Sequence, residues 1–94
     1  MPHRYSKTLL HQLRNDVDVA VLIRDVLDLP TKIDHGVFRF QCPSCQGFDC
    51  ATNPGTNLAR CFHCQRNFNP IDIVMAVNRC GFLDAVEFLR RRLP

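Results

Sequence analysis

The stretch that decides the fold is residues 42–64, CPSCQGFDCATNPGTNLARCFHC. It holds two Cys-x-x-Cys pairs, Cys42 with Cys45 and Cys61 with Cys64, separated by residues 46–60. One tight turn directs both sulfurs of such a pair at one ion, and Zn²⁺ takes four sulfur or nitrogen ligands in a tetrahedron. The spacing therefore predicts one structural zinc ion bound by these four cysteines, which leave no coordination position open for catalysis.

The cysteines also allow two other interpretations, a disulfide framework and a redox-active Cys-x-x-Cys pair. The N-terminal residues lack the apolar stretch of a secretory signal, and thiols stay reduced in the cytosol. We therefore expect a cytoplasmic protein and favour the zinc site. The other two cysteines, Cys50 and Cys80, have no Cys-x-x-Cys partner and are expected to be buried or half-buried free thiols.

Composition indicates a small globular domain. The chain has 94 residues, of which 46% are hydrophobic and 22% charged, unlike a disordered segment. The hydrophobic core of a chain this short gives only marginal stability, so we expect a further cross-link such as a metal ion. No apolar run approaches the roughly 18 residues that a membrane span needs, so we expect no membrane partner.

Helices are predicted on both sides of the cysteines. Before them, residues 6–14 carry leucines at helical spacing, and residues 16–29 form a longer apolar helix that starts at Asp16 or Asp18. After them, Asn69 caps a helix that ends at Gly81.

A last helix is predicted over residues 83–93. Between the N-terminal and C-terminal helices the sequence predicts strands. Residues 36–41 read as one strand, and residues 50–53 and 57–61 as a hairpin in which Gly55 takes the positive φ of the turn. The predicted fold class is α+β, a small zinc ribbon of about three antiparallel strands flanked by N-terminal and C-terminal helices. Its domains are a helical extension, 1–15, and the ribbon domain, 16–94.

Charge distribution favours nucleic acid as a ligand. The formal charge is +3, and four thiolates with one Zn²⁺ would lower it to about +1, so the total charge decides nothing. Residues 36–70, however, carry three arginines against one aspartate, interleaved with phenylalanines. Arginines and aromatic rings on a small sheet bind single strands by phosphate contact and base stacking. The predicted contacts are Arg39, Arg60, Phe62, His63, Arg66 and Phe38.

Catalysis is not expected. Five of the nine acidic residues lie in or just after the helix predicted over 16–29, and we find neither a Ser-His-Asp arrangement nor a glycine-rich phosphate loop. We therefore predict a non-catalytic binding module.

Four motifs resemble one family. They are Cys42-Pro43, Cys61-Phe62-x-Cys64, Ile71-Asp72-Ile73-Val74-Met75 and Ala85-Val86-Glu87-Phe88-Leu89. Their order is similar to that in the N-terminal zinc-binding domain of bacterial DnaG-type DNA primases, over roughly residues 16–93. The sequence departs from that family in three places: Cys45 stands where it has histidine, residues 46–50 replace a stretch that ends in Pro-Ser-Phe, and residues 67–69 replace a Gly-Gly-Asp sequence.

The resemblance implies a module that binds single-stranded DNA template and supports primer synthesis in DNA replication. The catalytic domain would lie outside this chain, so its partners would be a replication polymerase, a primase catalytic domain or a helicase, in cis or in trans. The alternative is a stand-alone zinc-ribbon adaptor, whose apolar helices over 16–29 or 83–93 dock such a protein.

Overall fold

The computed structural model describes residues 5–93 and has the predicted α+β fold. The helices are α1 (Lys7–Asn15), α2 (Val19–Val21, continued by a π-helical turn over Leu22–Val26), α3 (Pro70–Asn78) and α4 (Phe82–Arg90). The strands are β1 (Thr31–Asp34), β2 (Val37–Phe40), β3 (Cys50–Asn53), β4 (Leu58–Cys61) and β5 (Arg66–Phe68).

The strands form one sheet in the order β1-β2-β3-β4-β5, and every neighbouring pair is antiparallel. This is two strands more than the three expected. Strand β1 joins β2 through His35 and Gly36, both at positive φ (51° and 78°), which is typical of a two-residue hairpin turn. Strand β5 adds to β4 directly after the second cysteine pair.

The β3–β4 hairpin forms as predicted, but a different residue adopts the left-handed conformation. Asn57 has φ 55°, whereas Gly55 is not among the residues with positive φ. The Gly55 N–H instead donates to Asn53 Oδ1 at 2.9 Å, which closes the turn locally. The assignment of the positive φ to Gly55 was therefore wrong.

Helix α1 begins where the sequence predicts, since Ser6 Oγ accepts from the Leu9 N–H at 3.0 Å. The helix predicted over 16–29 is shorter. Asp16 ends α1, and Asp18 caps α2 by accepting from the amides of Ala20 and Val21. The helix stops before Pro30 because Asp28 adopts a left-handed conformation, φ 54°.

Both C-terminal helices end before the predicted residue, and α4 ends at Arg90 rather than at residue 93. Asn69 and Asp72 form the expected reciprocal cap, with each side chain accepting from the other's backbone N–H, at 2.8 and 3.1 Å. Helix α3 ends at Asn78 with Arg79 left-handed, φ 50°, so the end predicted at Gly81 was wrong. Gly81 is instead the N-cap residue of α4.

The core lies between one face of the sheet and the helices. Phe40, Cys50, Ala59, Cys61 and Phe68 supply its sheet side and are fully buried. The helix side is Leu13, Val19, Leu22, Ile23, Ile71, Ile73, Val74, Ala85, Val86 and Leu89. Leu13 of α1 is part of this core, because α1 packs against α3 and α4. No helix within residues 5–93 has the length and apolar character needed to cross a bilayer.

Candidate functional site

The four cysteines predicted as ligands converge at one end of the hairpin. Their sulfurs all lie within 4.8 Å of one another, with Cys42 Sγ 3.9 Å from Cys64 Sγ and Cys45 Sγ 3.7 Å from Cys61 Sγ. Four thiolates about 2.3 Å from a central tetrahedral ion are about 3.8 Å apart. The cluster therefore has the dimensions of a tetrahedral metal site.

Each Cys-x-x-Cys turn, here called a knuckle, is built the same way. A glutamine follows each one in the left-handed conformation, Gln46 with φ 61° and Gln65 with φ 57°. Backbone amides inside the knuckles point at the first sulfurs, from Ser44 N to Cys42 Sγ at 3.4 Å and from Cys64 N to Cys61 Sγ at 3.3 Å. Such N–H groups stabilise thiolates, the form that binds a metal.

The protonation of these thiols depends on their neighbours. Burial opposes ionisation of the Cys61 thiol. Hydrogen bonds donated to its sulfur by the Cys64 backbone N–H and by the Cys50 and Cys42 thiols outweigh this effect and lower the Cys61 pKa to about 6. Cys64 shares its proton with Cys61, which raises the Cys64 pKa to about 12. In the metal-free cluster, Cys61 is therefore the readier of the two to ionise and receive a cation.

Cys50 and Cys80 lie outside the four-sulfur cluster. Cys50 is fully buried and lies opposite Cys61 in the β3–β4 register. Its burial, together with the hydrogen bond that its thiol donates to Cys61, raises the pKa of Cys50. Cys80 is half-buried, with its sulfur 4.0 Å from the Val74 carbonyl oxygen. Within residues 5–93 all six cysteines are free thiols, which confirms the prediction for these two.

A second feature is a row of side chains across the sheet. The register pairs Lys32 with Arg39, Arg39 with Ala51, Ala51 with Arg60 and Arg60 with Asn67. Directly opposed residues share a face, and successive residues alternate between faces. This row thus lies on the face opposite the buried core residues, and we call that surface the open face.

Aromatic rings accompany two of the cations. The Lys32 ammonium lies 5.1 Å from the centroid of the Phe48 ring, and the Arg60 guanidinium 5.6 Å from that of Phe62. Phe62 is 55% exposed although it follows a buried cysteine. Each pair presents a positive charge beside a flat apolar surface, the combination that stacks a base while contacting its phosphate.

A shallow cavity of about 380 Å³ opens beside Phe62. It forms where Ala51, a small residue, sits in the row next to Arg60. Its lining is Ala51, Thr52, Asn53, Thr56, Leu58, Arg60, Phe62 and Asn67. The cavity therefore combines an aromatic wall and a guanidinium with amide and hydroxyl groups able to hydrogen-bond a ligand.

The structure divides the six predicted nucleic-acid contacts. Arg39 and Arg60 lie on the open face, with β3 between their strands, and the Phe62 ring lies beside Arg60. Arg66 lies on the opposite face, because it alternates with Asn67, and it bonds Ser44 Oγ at 3.2 Å with its guanidinium 4.8 Å from the Phe68 ring. Phe38 shares that face, packed against the core.

The sixth predicted contact, His63, is exposed in the second knuckle. Sequence reasoning missed Lys32, Ala51 and Asn67 on the open face, and the ring of Phe48 beside Lys32. The alternation in Thr31-Lys32-Ile33-Asp34, followed by His35-Gly36, was the available signal for β1 and hence for Lys32.

No protein-family model matches the chain, and no curated protein matches it.

Proposed function

We propose that this chain is a zinc-ribbon module that binds single-stranded DNA on the open face. The observation that carries the proposal is the basic cross-strand row with its two cation–ring pairs, Lys32 with Phe48 and Arg60 with Phe62. Strands about 4.8 Å apart place the ends of the row from Lys32 to Arg60 about 14 Å apart. That length suits contacts to successive phosphates of an extended strand.

Stacking is the second part of the proposed interaction. A base lying on Phe62 would enter the cavity beside Ala51, where Asn67 offers the donors of its Nδ2 to the base edge, while its Oδ1 accepts from Arg60 at 3.2 Å. Single strands expose such bases, whereas a duplex keeps them paired and stacked. We therefore propose single-stranded rather than double-stranded DNA as the ligand.

Zinc is the metal we propose for the four-cysteine cluster. An all-thiolate tetrahedral donor set favours Zn²⁺ over harder cations such as Mg²⁺ or Ca²⁺. With four protein ligands the ion would have a structural role, fixing the two knuckles and so the position of Phe62 between Cys61 and Cys64.

We further propose that the module serves a primase or a primase-related replication protein. The motifs that resemble DnaG-type primases support this role. The module itself is non-catalytic, and primer synthesis would belong to a catalytic domain acting in cis or in trans. The test is primer synthesis by a primase catalytic domain with this chain added: stimulation that requires the bound metal supports the role, and no stimulation contradicts it.

Direct binding is tested by fluorescence anisotropy of a labelled single-stranded oligonucleotide at two salt concentrations, with metal content measured first. Binding should weaken as salt rises, because cations on the protein release counterions from the phosphates. Arg39→Ala and Arg60→Ala should each weaken it, while Arg66→Ala, on the opposite face, should weaken it less.

Arg91→Ala is the matched control, because it removes the same charge from an exposed position after α4. It should leave the affinity within about twofold of the unmodified protein. No binding at low salt by the metal-loaded protein would contradict the proposal. Equal losses in Arg91→Ala and Arg60→Ala would show that total charge, not the open face, attracts the DNA.

The second candidate function is an adaptor that docks a replication polymerase or helicase. It is favoured by two adjacent apolar side chains on α4, Phe82 (40% exposed) and Leu83 (42% exposed). Capture of a purified polymerase without DNA, lost in Leu83→Ser, would support the adaptor. Capture that survives Leu83→Ser would contradict docking through α4.

A further inference from the structure

Strand β1 forms an uncovered edge of the sheet. All four of its residues are exposed, and within residues 5–93 it pairs on one side only, with β2. Ile33 is 69% exposed, more than any other large apolar residue of the described chain. A strand edge that displays apolar side chains and free backbone groups readily pairs with another strand.

The register fixes which backbone groups point outward. The Gln41 N–H donates to the Pro30 carbonyl oxygen at 2.9 Å, so this pair is hydrogen-bonded. Hydrogen-bonded and non-hydrogen-bonded pairs alternate along antiparallel strands, so Lys32 and Asp34 turn their backbone groups toward β2. Thr31 and Ile33 therefore direct their N–H and C=O groups away from the sheet.

We propose that β1 is a self-association edge, which pairs antiparallel with β1 of a second copy about a two-fold axis at Ile33. The two Ile33 residues would then exchange two backbone hydrogen bonds. The same register places Lys32 of each copy opposite Asp34 of the other. Centring the axis on Lys32 would oppose two lysines and use backbone groups already committed to β2.

The charges within one copy favour this occupant. Lys32 lies directly opposite Arg39 on the open face, a like-charged pair that is unfavourable. Within residues 5–93, the one ion-pair partner of Asp34 is the exposed ring of His35, whose Nε2 lies 3.8 Å from Asp34 Oδ1. A second copy would bring an aspartate to each Lys32–Arg39 pair, so β1 is complementary in charge to itself.

The opposite face adds apolar contact. Ile33 pairs with Phe38 across the β1–β2 hairpin, so the two-fold axis would bring both Ile33–Phe38 pairs together. An axis perpendicular to the sheet also puts both open faces on the same side. The two basic rows would then form one continuous surface on a joined sheet. The association requires no nucleic acid, so it stands independently of the proposed function.

The test is sedimentation equilibrium of the metal-loaded protein without DNA, up to about 1 mM. A four-residue strand buries less area than a standard interface, so we expect a weak dimer with Kd on the order of 100 µM. Asp34→Lys and Lys32→Asp should each raise Kd about tenfold, because they oppose like charges twice. The double variant, Lys32→Asp with Asp34→Lys, should restore dimerisation.

Asp84→Lys is the control, since it makes the same charge change at an exposed residue of α4. Its Kd should match that of the unmodified protein, and circular dichroism with metal analysis establishes that each variant is folded. A protein that stays monomeric at about 1 mM overturns the proposal. So does a folded double variant that fails to dimerise, or an Asp84→Lys variant weakened as much as Asp34→Lys.

Discussion

Two glutamines, Gln46 and Gln65, hold the backbone conformation that closes the knuckles. A side chain in the left-handed region costs roughly 1–2 kcal/mol because its Cβ approaches the following carbonyl oxygen. The cost is carried twice, once directly after Cys45 and once directly after Cys64. The metal-site geometry is therefore stabilised at the expense of local backbone strain.

Gln65→Gly should stabilise the metal-loaded protein by about 0.5–1 kcal/mol, since glycine adopts this conformation freely while losing more entropy on folding. Urea unfolding followed by circular dichroism measures the change. The control is Gln12→Gly, inside α1, which should destabilise by about 1 kcal/mol. A destabilised Gln65→Gly variant would contradict the strain assigned to this position.

Cys50 is a cysteine next to the cluster that we expect to be dispensable for metal binding. Cys50→Ala should retain one metal ion per chain and lose about 1 kcal/mol of stability through a small cavity. Cys45→Ser, by comparison, should lose tight binding. Elemental analysis after dialysis separates the two outcomes, and metal loss in Cys50→Ala would mean that the ligand set is wrong.

Among the elements, the β3–β4 turn is tied to the N-terminal helices through Asn57. Its Oδ1 accepts from the Val19 N–H at 3.0 Å, and its Nδ2 donates to the carbonyl oxygens of Arg14 and Val17 at 2.7 and 2.8 Å. One side chain thus satisfies three backbone groups at the junction of α1 and α2. This contact connects the helices to the ribbon.

Asn57→Gly should destabilise the protein by about 2–4 kcal/mol, because three hydrogen bonds are lost while the left-handed backbone is retained. Thermal or urea unfolding measures this loss. Asn53→Gly, in the same turn, removes only a local hydrogen bond and should cost about 1 kcal/mol. Equal losses in both variants would indicate a role for Asn57 confined to the turn.

Elements with strong local signals were predictable. Ser6, Asp18, Asn69 and Asp72 mark helix starts by capping, and the hairpin strands lie where the cysteine spacing and the proline-containing turn predicted them. The continuous apolar run after Asp18 gave no sign of its π-helical turn. There the Leu27 N–H bonds the Leu22 carbonyl oxygen at 2.8 Å, and tertiary packing buries Leu22 beside Ile23.

The candidate site was predictable in part for a similar reason. Short-range spacing identifies the four cysteines, since each knuckle is local. The face of the sheet on which a side chain lies follows from the strand register. Because β1 and β5 were not predicted, the sequence could not show that Arg66 and Arg60 lie on opposite faces or that Lys32 belongs to the row. Long-range pairing thus decides which of the basic residues share a surface.

For the whole molecule, acidification should release the metal. In the metal-free cluster the pKa of Cys61 is lowered from 9.0 to about 6, so its thiolate contributes fully to stability above pH 9, and this contribution is lost progressively as pH falls toward 6. Protons then compete with the ion for all four sulfurs, so release should be cooperative.

A chromogenic zinc chelator and circular dichroism, measured from pH 8 to pH 4 in steps of about half a unit, check this prediction. Loss of secondary structure should coincide with metal release, because the core of so small a chain is marginal. Metal retained at the acid end, or a fold that survives its removal unchanged, would contradict it.

The β3–β4 hairpin lies between the two knuckles along the chain, with residues 46–60 joining Cys45 to Cys61. Closing a loop of this length from a random chain costs about 3 kcal/mol in entropy. A two-stranded hairpin is only marginally stable by itself, so the free energy of ion binding must meet part of that cost. Closure of the chain and capture of the ion are therefore coupled, so the rate at which the ribbon folds should depend on the concentration of free metal.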